Sequence, residues 1–209
     1  MKESAVIKLS KFLSLLFHPL GMPLVIYLLI RWIDPYYIAP VEADYFVFLL
    51  LIINIVMPAV SILVMIRFGI LSSIDLRKRE ERWGPYLLVI LYYILSYWAL
   101  RSYGPMLPSE VFSFVISVII SLVISLIINR YWKISVHMLG QGGVFGSLVS
   151  LNILHRSDVS IFVIFTLIMA SLTAYSRLKL NAHTHAQVYA GFTLGFLCNL
   201  LVLSTQLYI

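Results

Sequence analysis

The sequence predicts an all-α polytopic membrane bundle of six to seven transmembrane helices, forming a single integral domain over residues 1–209. Three observations carry that reading. Apolar and aromatic residues make up 61% of the chain and charged residues only 11%, against about 45–50% and about 25% in soluble domains. Mean hydropathy is +0.98. Seven apolar runs have the length to cross a bilayer core, which takes roughly 17–25 helical residues. These runs are continuous and lack the alternation of barrel strands, which excludes a transmembrane β-barrel.

The first run, Phe12 to Ile30, is uncharged but holds His18-Pro19 and Pro23, so a kink or break is expected there. Lys2, Lys8 and Lys11 before it resemble the start of a secretory signal. The run is longer than a signal core and no small-residue cleavage site follows, so it is expected to stay as a span. Tyr45 to Ile66 carries Asn54 and Pro58, and Trp83 to Leu100 and Val111 to Ile128 come next. Met138 to Leu154 and Val159 to Tyr175 are joined only by His155-Arg156-Ser157-Asp158, which reads as a tight helical hairpin, and Val188 to Leu207 is the last run. The longest polar connector, Arg67 to Arg82, has 16 residues and leaves no room for a soluble domain.

Small residues form stripes along three of these runs. Ser113, Ser117, Ser121 and Ser125 recur every fourth residue, and Gly142/Gly146 and Gly191/Gly195 are Gly-x-x-x-Gly pairs. Such stripes let helices approach closely in lipid. The single cysteine, Cys198, lies in an apolar run, which excludes an intramolecular disulfide and a cysteine metal site.

The net charge of +6 is spread over short connectors rather than gathered on a polar surface, which argues against a nucleic-acid partner. With seven crossings, 12 Lys and Arg fall on the side of the amino terminus and three, Arg31, Arg101 and Arg156, on the other. The positive-inside rule puts the richer side in the cytoplasm, as expected for a bacterial inner-membrane protein with a cytoplasmic active face.

Three connectors on this richer side concentrate the polar chemistry: Asp75 to Pro85, Lys133 to His137, and Ser176 to Gln187. They offer guanidinium and ammonium groups for anionic oxygens, a hydroxyl, and imidazoles to attack phosphorus and to protonate a departing oxygen. A phosphate ester held in the bilayer by its acyl or prenyl chains is the substrate such a set suits.

The third connector, Ser176-Arg177, five residues, then His183, resembles the Ser-Arg-x5-His core of the type-2 phosphatidic acid phosphatase superfamily. Ile134-Ser135-Val136-His137 looks like that family's Pro-Ser-Gly-His motif with Ser and His kept. The order of the motifs and their positions at span boundaries agree too, over Asp75 to Gly195. There are three departures. With Arg82 on the arginine of the family's Lys-x6-Arg-Pro motif, Asp75 stands at the lysine and the proline comes late, at Pro85, so Lys78 or Arg79 would take the cationic role. Ile134 and Val136 replace Pro and Gly. Gln187 stands where the family has an aspartate.

The resemblance implies a metal-independent lipid phosphatase that needs no cofactor and acts on phosphatidic acid, phosphatidylglycerol phosphate or a polyprenyl diphosphate. His183 would be the nucleophile that forms a phosphohistidine and His137 the general acid. Arg82, Arg177 and Ser135 would bind phosphoryl oxygens, and Gln187 would orient His183. Positions 183 and 187 are one helical turn apart, which independently allows that contact. One phosphate-sized pocket is expected. The rival reading is a catalytically degenerate relative that binds or transports a phosphorylated lipid, since Gln187 brings no negative charge. His18 and His155 belong to no motif and read as interfacial polar groups. His183-x-His185 lacks the further ligands of a metal site. The runs from residue 45 onward carry no charge near their centres, so a channel is the weakest reading.

Overall fold

The computed structural model describes residues 4–33, 40–74, 76, 78–102, 107–156 and 158–205. Lys2, Asp75, Ser157 and Leu207, all named above, lie outside the described residues, as does Arg77 of the first connector. Nine α-helices are found among those described: α1 Ala5–Leu16, α2 Met22–Ile33, α3 Pro40–Leu51, α4 Met57–Arg67, α5 Trp83–Ser102, α6 Ser109–Tyr131, α7 Val136–His155, α8 Ser160–Lys179 and α9 His185–Ser204. Among the described residues there is no strand. The protein is an all-α integral membrane bundle, with six helical segments long and apolar enough to cross a bilayer.

Two of those segments are interrupted where the sequence carries proline. The first run breaks at His18-Pro19. Phe17 ends α1, a 3₁₀ turn spans Pro19–Gly21, and α2 continues from Met22. Proline disfavours helical backbone in the residue before it and lacks an N–H to bond back. The His18 ring supplies a cap in place of the lost bond, its Nδ1 accepting from the Leu20 N–H at 3.3 Å. In the second segment the helix widens to a π turn over Ile52–Val56, just before Pro58. That bulge brings Asn54 inward, where its Oδ1 accepts from Ser96 Oγ at 2.9 Å.

Helix α7 is not one of those six, its glycines and polar residues diluting its hydropathy, but it lies alongside α6 and α9. Its first turn sits beside the end of α6 and its last turn beside the start of α6, where His155 lies 3.3 Å from Glu110. Other helices bury its polar side chains Gln141, Ser147 and Ser150. Arg156, in the left-handed conformation, ends α7, and Asp158 Oδ1 caps the Ser160 N–H at 3.0 Å. The hairpin expected there is what forms.

Helices α7 and α9 run parallel in the closest contact of the bundle. A Cβ on Gly195 would stand 2.0 Å from the Leu139 carbonyl oxygen, and one on Gly142 2.0 Å from that of Phe192. Gly191 and Gly146 meet the Ser135 and Phe196 carbonyls in the same way. The two Gly-x-x-x-Gly pairs therefore face each other, as close backbone approach requires. The α6 serines are also buried. Ser117 donates to Asn199 Oδ1 on α9 at 2.7 Å, and Ser125 pairs with the Tyr86 hydroxyl of α5 at 2.7 Å.

This topology collects one end of α5, α6, α7, α8 and α9 into a single polar pole. There the α6–α7 and α8–α9 connections touch, with Lys133 Nζ donating to the Ala182 carbonyl at 2.9 Å.

Candidate active site

The third motif is built by a helix end folding back on itself. Ser176 and Arg177 lie in the last turn of α8, and Leu180 N–H and Ala182 N–H return to the Ser176 and Arg177 carbonyls, both at 3.0 Å. Asn181 takes the positive φ of 49° that closes this turn, a conformation asparagine tolerates better than most residues. The five residues between Arg177 and His183 are thereby used up in a reversal that sets His183 beside α8. Thr184 then caps α9 in a capping box with Gln187.

Gln187 serves two partners at once. Its Oε1 accepts from the Thr184 backbone N–H at 3.2 Å, which identifies that atom as the amide oxygen. His183 Nδ1 lies 3.0 Å from the same oxygen and must be the donor. The proton therefore sits on Nδ1, and Nε2 keeps its lone pair. Burial, then the charges of Arg82 and Arg177 and more weakly that of Lys133, lower the His183 pKa to about 3, against the opposing pull of the Gln187 bond. The ring is neutral at physiological pH and its Nε2 is available as a nucleophile.

In the second motif, Ser135 starts α7 and its N–H donates to the Gln187 carbonyl at 3.3 Å, which ties the two helix starts together. Its hydroxyl is buried and finds no hydrogen-bond partner among the described residues. His137, in the first turn of α7, donates from Nε2 to the Ser14 carbonyl at 3.1 Å, and the Ser14 hydroxyl lies 3.4 Å from the same nitrogen. Arg82, only 4% exposed, reaches across from the start of α5. Its Nε donates to the Leu76 carbonyl at 2.9 Å and its Nη1 to the Ile134 carbonyl at 3.0 Å. These bonds lock the guanidinium against the α6–α7 connection.

His137, His183, Arg82 and Arg177 all line one cavity of about 770 Å³. Lys11, Ser14, His18 and Lys133 complete its polar end. Away from that pole the wall is mostly apolar, formed by α4 (Ala59, Ile62, Leu63), by Tyr93 and by Phe114, Val118 and Leu122 of α6, with Ser121 and Asn199 as its polar members. The expectation of a phosphate-sized pocket is therefore corrected. The volume falls in the range of about 300–1,000 Å³ that holds whole organic ligands, because the π turn and α4 stand away from α6 and leave room for a chain.

Four residues expected at the site do not line the cavity: Gln187, which reaches it only through His183, and Lys78, Arg79 and Ser135. Lys78 is exposed and pairs with Glu81 at 3.1 Å. Arg79 donates to the Tyr131 carbonyl at 2.7 Å and lies 3.6 Å from Glu80. Lys133 and Lys11, rather than Lys78 or Arg79, supply the further cations that line the cavity. Ser135 stands behind the wall against Gly191.

What the motif search missed comes from the amino-terminal helix pair. Ser14 and His18 line the polar end, and the His18 ring stands edge-on to His137 with centroids 5.3 Å apart. The available signal was periodicity: Ser10, Ser14 and His18 recur every fourth residue from just before the first apolar run into it, which puts them on one helical face.

The arrangement can present an oriented imidazole lone pair, a second imidazole and two guanidinium groups to one anionic centre, with an apolar compartment behind. No family profile, curated protein or solved structure matches the chain.

Proposed function

We propose that the protein is an integral membrane lipid phosphatase, related in its site to the type-2 phosphatidic acid phosphatases, that hydrolyses a lipid phosphate monoester or diphosphate. The observation that carries this reading is the His183 tautomer, set by Gln187 beside Arg82 and Arg177 on a cavity that also holds His137. In the reaction His183 Nε2 bonds to phosphorus while the bond from phosphorus to the lipid oxygen breaks, and His137, as the imidazolium, gives that oxygen a proton. The negative charge of the bound phosphate favours that protonation. Water then gives its proton to His137 and its oxygen to phosphorus, the P–N bond breaks, and phosphate and neutral His183 are restored. Arg82 and Arg177 hold the charge that develops on the phosphoryl oxygens. The apolar wall suits a lipid chain left partly in the bilayer.

The test is phosphate release from purified protein in detergent, offered phosphatidic acid, phosphatidylglycerol phosphate and a polyprenyl diphosphate in turn, with orthovanadate as inhibitor. Vanadate-sensitive release from one of them supports the proposal. Saturable lipid binding with no release from any would replace it with a binding or transport role.

Gln187 is expected to limit the rate. It fixes the tautomer but brings no charge to offset a phosphohistidine. Gln187→Glu keeps the reach to both His183 and the Thr184 N–H, whereas an aspartate is one methylene shorter. Charge-assisted hydrogen bonds contribute about 1.5–3 kcal/mol against about 0.5–1.5 for neutral ones. Gln187→Glu should therefore raise kcat by up to about tenfold, and Gln187→Ala, which also loses the capping box, should lower it by about as much. A Gln187→Ala variant with parental kcat would remove Gln187 from the mechanism.

The basic excess on the polar pole supports a cytoplasmic active face. A cysteine replacing exposed Ser72, near that pole, should be protected from an impermeant thiol reagent added outside intact cells, and one replacing Ser160 should react. Cys198 is buried and gives little background. The reverse labelling pattern would invert the orientation and leave the chemistry untouched.

A further inference from the structure

The amino-terminal helix lies outside the stretch that carries the three motifs, yet two groups of the proposed site converge on one of its residues. Arg177 Nη1 donates to the Ser14 hydroxyl, and His137 Nε2 donates to the Ser14 carbonyl at 3.1 Å. The helix is held in place beside α8 by Ser176, whose hydroxyl donates to the Ser10 carbonyl. Four residues beyond Ser14, the His18 ring stands against His137 at an interplanar angle of 80°. Because Nδ1 of His18 is occupied as an acceptor from Leu20 N–H, that ring is itself fixed.

We infer that Ser14 is a positioning residue of the site, its hydroxyl aiming the Arg177 guanidinium and its backbone carbonyl holding His137 by Nε2–H so that Nδ1–H is the proton delivered to the departing oxygen. This rests on the phosphatase reading for the identity of that oxygen. The two halves of the role separate chemically. An arginine side chain loses much rotamer freedom when it clamps an anion, and a partner that holds it beforehand removes part of that cost from binding. Losing the Ser14 hydroxyl should therefore weaken oxyanion binding. Ser14→Ala also removes the longer contact of the hydroxyl with His137 Nε2 at 3.4 Å, but the shorter bond at 3.1 Å goes to the backbone carbonyl and survives any substitution, so proton delivery by His137 should persist. A role in helix packing alone predicts no such split.

The experiment uses the full-length protein in detergent. Ser14→Ala is expected to raise both the KM for phosphatidic acid and the inhibition constant of orthovanadate about tenfold, with kcat within about threefold of the parent, and Ser14→Thr is expected to restore both. Stabilisation by orthovanadate in thermal melts should rank the variants identically without turnover. Unchanged vanadate affinity in Ser14→Ala overturns the inference. So does tighter binding, which would mean that the hydroxyl competes with the anion for Arg177. If Ser14→Ala does not yield folded protein, Ser14→Cys, similar in size and a much weaker acceptor, is read against the same expectation. A parent that releases no phosphate from any lipid phosphate, yet is stabilised by vanadate in a Ser14-dependent way, would sink the phosphatase reading and leave the positioning of Arg177 standing.

Discussion

His183→Ala should reduce phosphate release by about 10⁴-fold or more while leaving the protein as stable as the parent. Removing a nucleophile eliminates the covalent route, and losses of that order follow when the attacking atom itself is deleted. Stability is the discriminating half of the expectation. His183 is buried and its pKa is held near 3, so it sits uncharged among cations, and its removal strands no buried charge. The oxygen of Gln187 keeps the Thr184 N–H as a partner, so the cap of α9 survives. Quenched single-turnover mixtures of the parent with labelled substrate should carry phosphate on protein that is lost in acid and kept in alkali, as an N–P bond requires, and His183→Ala should carry none. Retention of more than about a hundredth of parental activity would assign the nucleophile elsewhere. A fall in thermal midpoint matching the fall in activity would show that the residue is structural.

The second large effect concerns the seam between α7 and α9. Gly195→Ala places a methyl group 2.0 Å from the Leu139 carbonyl oxygen and 2.9 Å from the Gly143 nitrogen. Both are backbone atoms, so no side chain can swing away. The helices must separate, which forfeits dispersion contacts along both Gly-x-x-x-Gly pairs. Overpacking of this kind costs about 3 kcal/mol. The expected readout is a large drop in thermal midpoint, with loss of monodisperse protein in detergent. Gly21→Ala is the control, since a Cβ there meets nothing within 4 Å, and its stability should stay within about 0.5 kcal/mol of the parent. A Gly195→Ala protein as stable as the parent would mean that the helices do not approach as described. The seam also carries chemistry, because Ser135 and Gln187 start the two helices and are joined across it. Parting them moves His183 away from His137.

The fold was legible because membrane helices announce themselves by length, and because the interruptions and contacts have local chemical causes. His18-Pro19 stops a helix whatever surrounds it, and four glycines at matched spacing leave little choice of partner. The Ser176-Arg177-x5-His183 spacing was legible for the same reason, since a helix end, one left-handed Asn181 and one capping box make it a local structure. The first motif was not. Between Arg67 and Glu80 the described backbone is irregular, and spacing in an irregular segment does not say where a side chain points. Lys78 and Arg79 turn out to bond Glu81 and the Tyr131 carbonyl. Ser14 and His18 were hidden differently. A single polar residue in an apolar run has no meaning until a distant segment is packed against it, and their partners Arg177 and His137 lie more than 100 residues away. The cavity's breadth was hidden as well, because it depends on how far α4 stands from α6, which no local pattern encodes.

The burial of α7 has a consequence for biosynthesis. A segment with Gln141, Ser147, Ser150 and several glycines gains little by leaving the translocation machinery for lipid alone, and a lone polar side chain in hydrocarbon is costly. Its shelter is α9, which the ribosome makes about 50 residues later, and α8 must cross in between. The chain therefore has to hold α7 near its earlier neighbours α2 and α6 until the last helix arrives. The packing of α7 and the assembly of His137 with His183 are then one late event, complete only when α9 takes its place.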